Sequence, residues 1–121
     1  MDSLILDRLS GQPKFEKIWV LEVEKFILEN LSSSTLNISL IAQNFGVSER
    51  QFYRRVQKIL SLTPNNFIRF LKLETARKYL EVGEFATVSE VSYAVGYKRS
   101  DYFSGVFLEF YGKHQTEYMG L

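Results

Sequence analysis

The 121-residue chain has no cysteine, one histidine and two prolines. Without cysteine it has neither a disulfide framework nor a thiolate metal site, and His114 alone cannot build a histidine cluster. No cofactor is expected. There is no glycine-rich phosphate loop, no carboxylate pair set in a polar pocket, and no Ser-His-Asp set that one histidine would readily complete, so the chain does not read as an enzyme. No apolar run approaches the roughly 18 to 20 residues of a membrane span, and the short Leu4 to Leu6 patch sits among Asp2, Asp7 and Arg8 instead of following a basic leader. A soluble, cytoplasmic protein is the expectation. At 45% hydrophobic residues, a chain of this length can bury one core without outside help.

The net charge of +1 hides a strong asymmetry. Residues 1–48 sum to −2, residues 49–78 to +6 and residues 79–121 to −3. Positive charge confined to one segment draws a polyanion to one place, while the remainder discourages indiscriminate anion binding. By itself such a run also suits a solvated helix face.

Periodicity supplies the elements. From Phe15 to Leu31, Trp19, Val23, Phe26 and Ile27 fall at helical spacing, with Glu22, Glu24 and Lys25 turned to water, and Ser32-Ser33-Ser34 ends the helix. Asn37 is an N-cap for a short helix carrying Ile41, Ala42 and Phe45, which Gly46 stops. Ser48 caps the next helix, in which Phe52, Val56 and Ile59 face one way and Arg50, Tyr53, Arg54 and Gln57 the other. Short helix, glycine turn and polar-faced helix is the helix-turn-helix order. A long helix follows from Thr63-Pro64 to about Val82, closed by Gly83. The pattern then restarts: Thr87 caps with Glu90 as capping-box partner, Val91 and Val95 are core positions, Gly96 turns, and a second polar-faced helix runs from about Ser100 to Tyr111.

The restart is a countable repeat. Asn37, Ile38, Ile41, Ala42, Phe45 and Gly46 match Thr87, Val88, Val91, Ser92, Val95 and Gly96 at a shift of about fifty residues. Beyond the turn, Phe52, Val56, Ile59, Leu60 and Phe67 match Phe103, Phe107, Phe110, Tyr111 and Tyr118. The expected fold is all-α, with about seven helices forming two helix-turn-helix subdomains joined by a long linker helix. Trp19, Phe26, Ile41, Phe45, Phe52, Val56, Leu73, Ala76, Leu80, Val91, Phe103 and Phe107 are its expected buried residues. A linker helix from Thr63 to Val82 would span roughly 30 Å, against about 34 Å between successive major grooves on one face of B-DNA. That length suits two recognition helices in adjacent grooves, reading a non-palindromic site.

Several stretches resemble one known family. They are Ile41-Ala42 through Gly46-Val47-Ser48, Arg50-Gln51-Phe52-Tyr53-Arg54-Arg55, Leu62-Thr63-Pro64-Asn65-Asn66-Phe67-Ile68-Arg69, and Val95-Gly96-Tyr97 running to Asp101-Tyr102-Phe103-Ser104. Together they resemble the C-terminal DNA-binding domain of AraC/XylS-type bacterial transcription regulators, over Phe15 to Tyr118. The Arg-Gln-Phe-Tyr-Arg-Arg and Asn-Asn-Phe-Ile-Arg wording is most similar to the output domains of hybrid two-component regulators. The resemblance implies a sensor or receiver module in the same or another chain. Residues 1–14 then read as a linker or remnant, 15–62 as the first helix-turn-helix unit, 63–83 as the linker helix and 84–121 as the second unit.

The resemblance also implies residue roles on double-stranded DNA. Base contacts would fall on Arg50, Tyr53 and Arg54 in the first unit, Arg54 foremost, and on Arg99, Ser100 and Asp101 in the second. Phosphate contacts would fall on Arg55, Lys58 and Lys98, and on the helix starts at Asn37 and Thr87. The second unit departs from the family pattern: Gly105 stands where an arginine is usual, Leu108 where a lysine is usual, Gln115 for proline and Ser92 for alanine. Asp101 reads as a helix cap or a cytosine acceptor, and His114 as a helix start. Arg69, Lys72 and Arg77 on the linker helix read as solvated or salt-bridged. The competing function is a protein-interaction module derived from such a domain, in which exposed Tyr93, Tyr97 and Tyr102 contact RNA polymerase or another regulator. RNA binding fits less well, because the aromatics follow core spacing and form no stacking sheet.

Overall fold

The computed structural model describes residues 3–119; Met1 and Asp2 of the expected linker lie outside them. All regular structure among these residues is helical. Six α-helices follow in order: α1 (Lys14–Glu29), α2 (Ile38–Asn44), α3 (Glu49–Leu60), α4 (Pro64–Val82), α5 (Val88–Ala94) and α6 (Ser100–Tyr111). Single 3-10 turns flank them at Leu6–Leu9 and Gln115–Tyr118. No described helix is long and apolar enough to cross a membrane.

The chain divides into two compact units. The first comprises the residues up to Asn30 together with Thr35–Leu71; the second comprises Leu31–Ser34 and the residues from Lys72 onward. The first half of α4 therefore belongs to the first unit and its second half to the second.

In the first unit, Val20, Val23 and Ile27 of α1, Ile41 and Ala42 of α2, Phe52 and Val56 of α3 and Phe67 and Leu71 of α4 are buried. The segment expected to be a linker adds to this core: Ile5 and Leu9 are buried, and the Gln12 amide donates to the Ile59 carbonyl at 3.3 Å. It also corrects the reading of Glu24, which is buried instead of facing water. Its carboxylate accepts the Leu4 N–H at 2.7 Å, a partner that helical periodicity within α1 could not reveal. Trp19, Phe26 and Phe45, expected to be mostly buried, keep part of their surface exposed. Their rings meet edge-on at the border of the core, Trp19 and Phe45 at 6.2 Å and Phe26 and Phe45 at 5.9 Å.

In the second unit, Leu73, Ala76 and Leu80 of α4, Val91 and Val95, and Phe103 and Phe107 of α6 form the core. Phe107 also packs on Tyr111 at 4.6 Å and on Tyr118 at 5.6 Å. A polar clamp reinforces this packing: the Tyr111 hydroxyl donates to Glu74 at 2.6 Å, and Arg77 donates to Glu74 at 2.9 Å and to Glu81 at 2.7 Å. Burial pushes the Glu74 carboxyl pKa up, but the bonds from Arg77 and Tyr111 outweigh it and hold the group below its ordinary value. Burial, then the facing Glu74 carboxylate, raise the Tyr111 phenol. Arg77 is thus salt-bridged, as its position on the linker helix suggested.

The repeat extends to individual hydrogen bonds. After α2, Val47 N–H donates to Ala42 and Gly46 N–H to Gln43; after α5, Tyr97 N–H donates to Ser92 and Gly96 N–H to Tyr93. Both are Schellman closures with a left-handed glycine, at φ +69° in Gly46 and +90° in Gly96. The two caps differ slightly. Asn37 and Thr87 each accept the N–H three residues on, yet the expected Glu90 capping box is incomplete: its carboxylate takes the Thr87 hydroxyl proton instead of a backbone N–H.

Candidate nucleic-acid interface

Helix α3 begins with a full capping box, Ser48 accepting the Gln51 N–H at 3.1 Å and Gln51 accepting the Ser48 N–H at 2.9 Å. Its start is therefore fixed without help from the basic side chains. With Phe52, Val56, Ile59 and Leu60 buried, the opposite face exposes Arg50, Tyr53, Arg54, Gln57 and Lys58. Arg54 makes no ion pair or hydrogen bond among the described residues, which leaves its guanidinium fork available to a ligand.

Arg55 sits differently. Its guanidinium donates from Nε and Nη2 to Glu16 of α1, both at 3.3 Å, and lies 4.2 Å from the Trp19 ring centroid. The cation is thus already held by a carboxylate and an aromatic face. Glu16, Gln51, Arg54, Arg55 and Lys58 line a shallow hollow of about 300 Å³. Residue spacing along α3 gave no sign of Glu16, because the pairing spans 39 positions.

The corresponding face of α6 is poorer in charge. Arg99 is its N-cap residue but makes no capping bond; it pairs instead with Asp101, Nη2 to Oδ2 at 2.6 Å. Asp101 is the second residue of the helix and not its cap, and the arginine fork beside it bonds to both carboxylate oxygens. That hydrogen bond, then the facing carboxylate's charge, raises the Arg99 pKa; the same bond, then one from the Tyr102 N–H, depresses that of Asp101. Ser100 is half-buried and Lys98 exposed. Farther along, Tyr102, Leu108 and Phe110 are exposed. Of the tyrosines expected at the surface, Tyr93 and Tyr102 are exposed, while Tyr97 is half-covered by packing on Phe103 at 5.4 Å.

The remaining departures fall outside this face. Gln115 is buried and donates to the Ser104 hydroxyl, leaving its Oε1 without a partner, and the buried Ser92 hydroxyl is likewise unpaired. His114 starts the last 3-10 turn, its N–H donating to Glu117 at 2.8 Å. No group of three or more histidine or acidic side chains that could hold a metal occurs among the described residues.

Comparison with known proteins agrees with this geometry. The sequence profile of a helix-turn-helix domain family matches residues 41–120. The HTH-type transcriptional activator RhaS of Escherichia coli strain SE11 is 31% identical over 80 residues, which are 66% of this chain and 28% of that protein. Histidine kinase P4 of Formosa agariphila is 28% identical over 94 residues, 78% of this chain but only 7% of the relative. The chain thus spans a small part of the curated relatives it matches. A Chromobacterium violaceum transcriptional regulator with an AraC-type DNA-binding domain has the same fold, with a TM-score of 0.77 at 22% identity over 87% of this chain and 92% of its own. With two helix-turn-helix units of matching closure and a family profile across both, the chain belongs to the AraC-type helix-turn-helix domains of bacterial transcription regulators.

Proposed function

We propose that the domain reads double-stranded DNA with α3 and α6 in successive major grooves, and that α3 supplies most of the sequence readout. The observation that carries this is the exposed Arg50, Tyr53, Arg54 and Lys58 opposite the buried Phe52, Val56 and Ile59. Arg50 and Arg54 suit guanine edges and Tyr53 a thymine methyl. Arg99, Ser100 and Asp101 are the lesser base contacts, and Lys58, Lys98, Arg55 and the starts of α2 and α5 at Asn37 and Thr87 the phosphate contacts. Selection of bound fragments from a random duplex pool tests the reading. Two unlike half-sites one helical turn apart are expected, whereas a single half-site would remove α6 from the readout.

Salt dependence separates the cations. Lys58→Ala is expected to lower the log–log slope of duplex binding by about 1, the value for one lost phosphate contact. Arg55→Ala is expected to change it less, because Arg55 reaches a phosphate only by giving up Glu16. Equal slope losses in the two variants would show Arg55 to be fully released on binding.

Gly105 gives a gain-of-function test. A Cβ added there meets nothing within 4 Å, and the residue is helical. Gly105→Arg is expected to stabilise α6 by nearly 1 kcal/mol through helix propensity and to tighten duplex binding with a steeper salt slope. A stabilised variant with unchanged affinity would place residue 105 away from the duplex.

The signal is proposed to come from a sensor or receiver module in the same or another chain, a reading supported by the alignment with a small part of Histidine kinase P4. A second reading, contact with RNA polymerase or another regulator, is supported by the exposed Tyr102, Leu108 and Phe110 on α6.

A further inference from the structure

The serines read from sequence only as the end of α1 have a second setting in the structure. Leu31–Ser34 belongs to the second unit, where the Leu31 carbonyl lies directly over Gly96 in the turn between α5 and α6. Ser32, Ser33 and Ser34 thereby line a hollow of about 180 Å³ with Tyr93, Tyr97 and Lys98. The Lys72 ammonium lies 5.2 Å from the Tyr97 ring centroid and supports that wall. Three features suit this hollow to an anion. Hydroxyls turn to donate to an oxyanion, Lys98 supplies charge, and the lining contains no carboxylate. The hollow beside α3 has no hydroxyl in its lining and contains the Glu16 carboxylate, which already pairs with Arg55.

Resting on the DNA-binding reading above, we infer that the Ser32–Ser34 loop and Lys98 form a seat for one backbone phosphate of duplex DNA beside the second recognition helix. The hollow lies at the α5–α6 turn, and Lys98 stands one residue before the N-cap of α6. In helix-turn-helix docking, the first helix crosses the backbone while the second enters the groove. A seat here offsets the missing cations at Gly105 and Leu108 with donors taken from a distant part of the sequence.

The test pairs protein variants with duplexes of the selected site, each carrying one neutral methylphosphonate linkage. Ser32 and Ser34 are exposed, so Ser32→Ala/Ser34→Ala is expected to leave the fold intact, as checked by thermal melting. Against the parent protein, one linkage flanking the second half-site should cost about tenfold in affinity when neutralised, the scale of hydrogen bonds to a charged group. In the double serine variant the same neutralisation should cost little. Lys98→Gln should lower the salt slope by about 1, whereas the uncharged serine replacements should leave it unchanged. A methylphosphonate penalty pattern identical in parent and serine variant overturns the seat while leaving DNA binding in place. Failure of the parent chain to bind any duplex overturns the underlying reading instead. If inorganic phosphate at low millimolar concentration shifts the Ser32–Ser34 amide resonances while the duplex does not, the ligand is a free anion and the assignment to DNA is wrong.

Discussion

Arg54→Ala is expected to weaken binding to the selected duplex by about 1 to 3 kcal/mol, the worth of a bidentate arginine–guanine contact, and to weaken binding to random duplex far less. The reason is structural as well as chemical. Arg54 is exposed on a helix whose start is fixed by its own capping box, and it has no ion-pair partner to abandon. Arg99 must first release Asp101, 2.6 Å away. Titrations of the parent and Arg54→Ala proteins against the selected and a scrambled duplex measure the difference directly. If Lys98→Ala or Arg99→Ala abolished site preference while Arg54→Ala preserved it, the second unit would be the principal reader.

Gly96→Ala is expected to destabilise the protein far more than Gly46→Ala, although the two glycines occupy matching positions in the repeat. Both require a left-handed backbone, which costs a residue with a Cβ about 1 to 2 kcal/mol. At Gly46 a Cβ would meet nothing within 4 Å, so that is the whole cost. At Gly96 it would overlap the Leu31 carbonyl oxygen, and backbone cannot rotate away as a flexible side chain can. The Gly96 change should therefore cost about 3 kcal/mol or more, lowering Tm by on the order of 10 °C. Denaturant and thermal unfolding of both variants provide the check. Equal losses would mean that the Leu31 contact contributes nothing at Gly96.

Much of the fold was legible because its determinants are local. Caps at Asn37, Ser48 and Thr87, the glycines that close α2, α4 and α5, and the 3.6-residue spacing of Phe52, Val56 and Ile59 each act within a few residues. One departure came from a pairing between distant residues and the other from the placement of a helix boundary. Glu24 looked solvated because its partner, the Leu4 N–H, lies 20 positions away on a segment with no periodic pattern. Asp101 suits a cap because acidic residues favour helix starts, but the helix begins one residue earlier, so Asp101 falls inside its first turn.

The candidate interface divides along the same line. Which residues of α3 face outward follows from amphipathic spacing alone, and so does the charge contrast between α3 and α6. The sequence also determined the two-unit architecture, through a repeat whose turns and caps need no tertiary context. Tertiary structure alone decided which of the outward cations is free. Arg54 and Arg55 are adjacent and chemically identical, yet only Arg55 meets Glu16 and Trp19. It also decided that Ser32–Ser34 joins the second unit beside Lys98, and that Gly96, unlike Gly46, lies beneath another segment's backbone. The physical reason is range: capping and periodicity are set by neighbours along the chain, whereas ion pairing and steric exclusion depend on which distant segments the fold brings within a few ångströms.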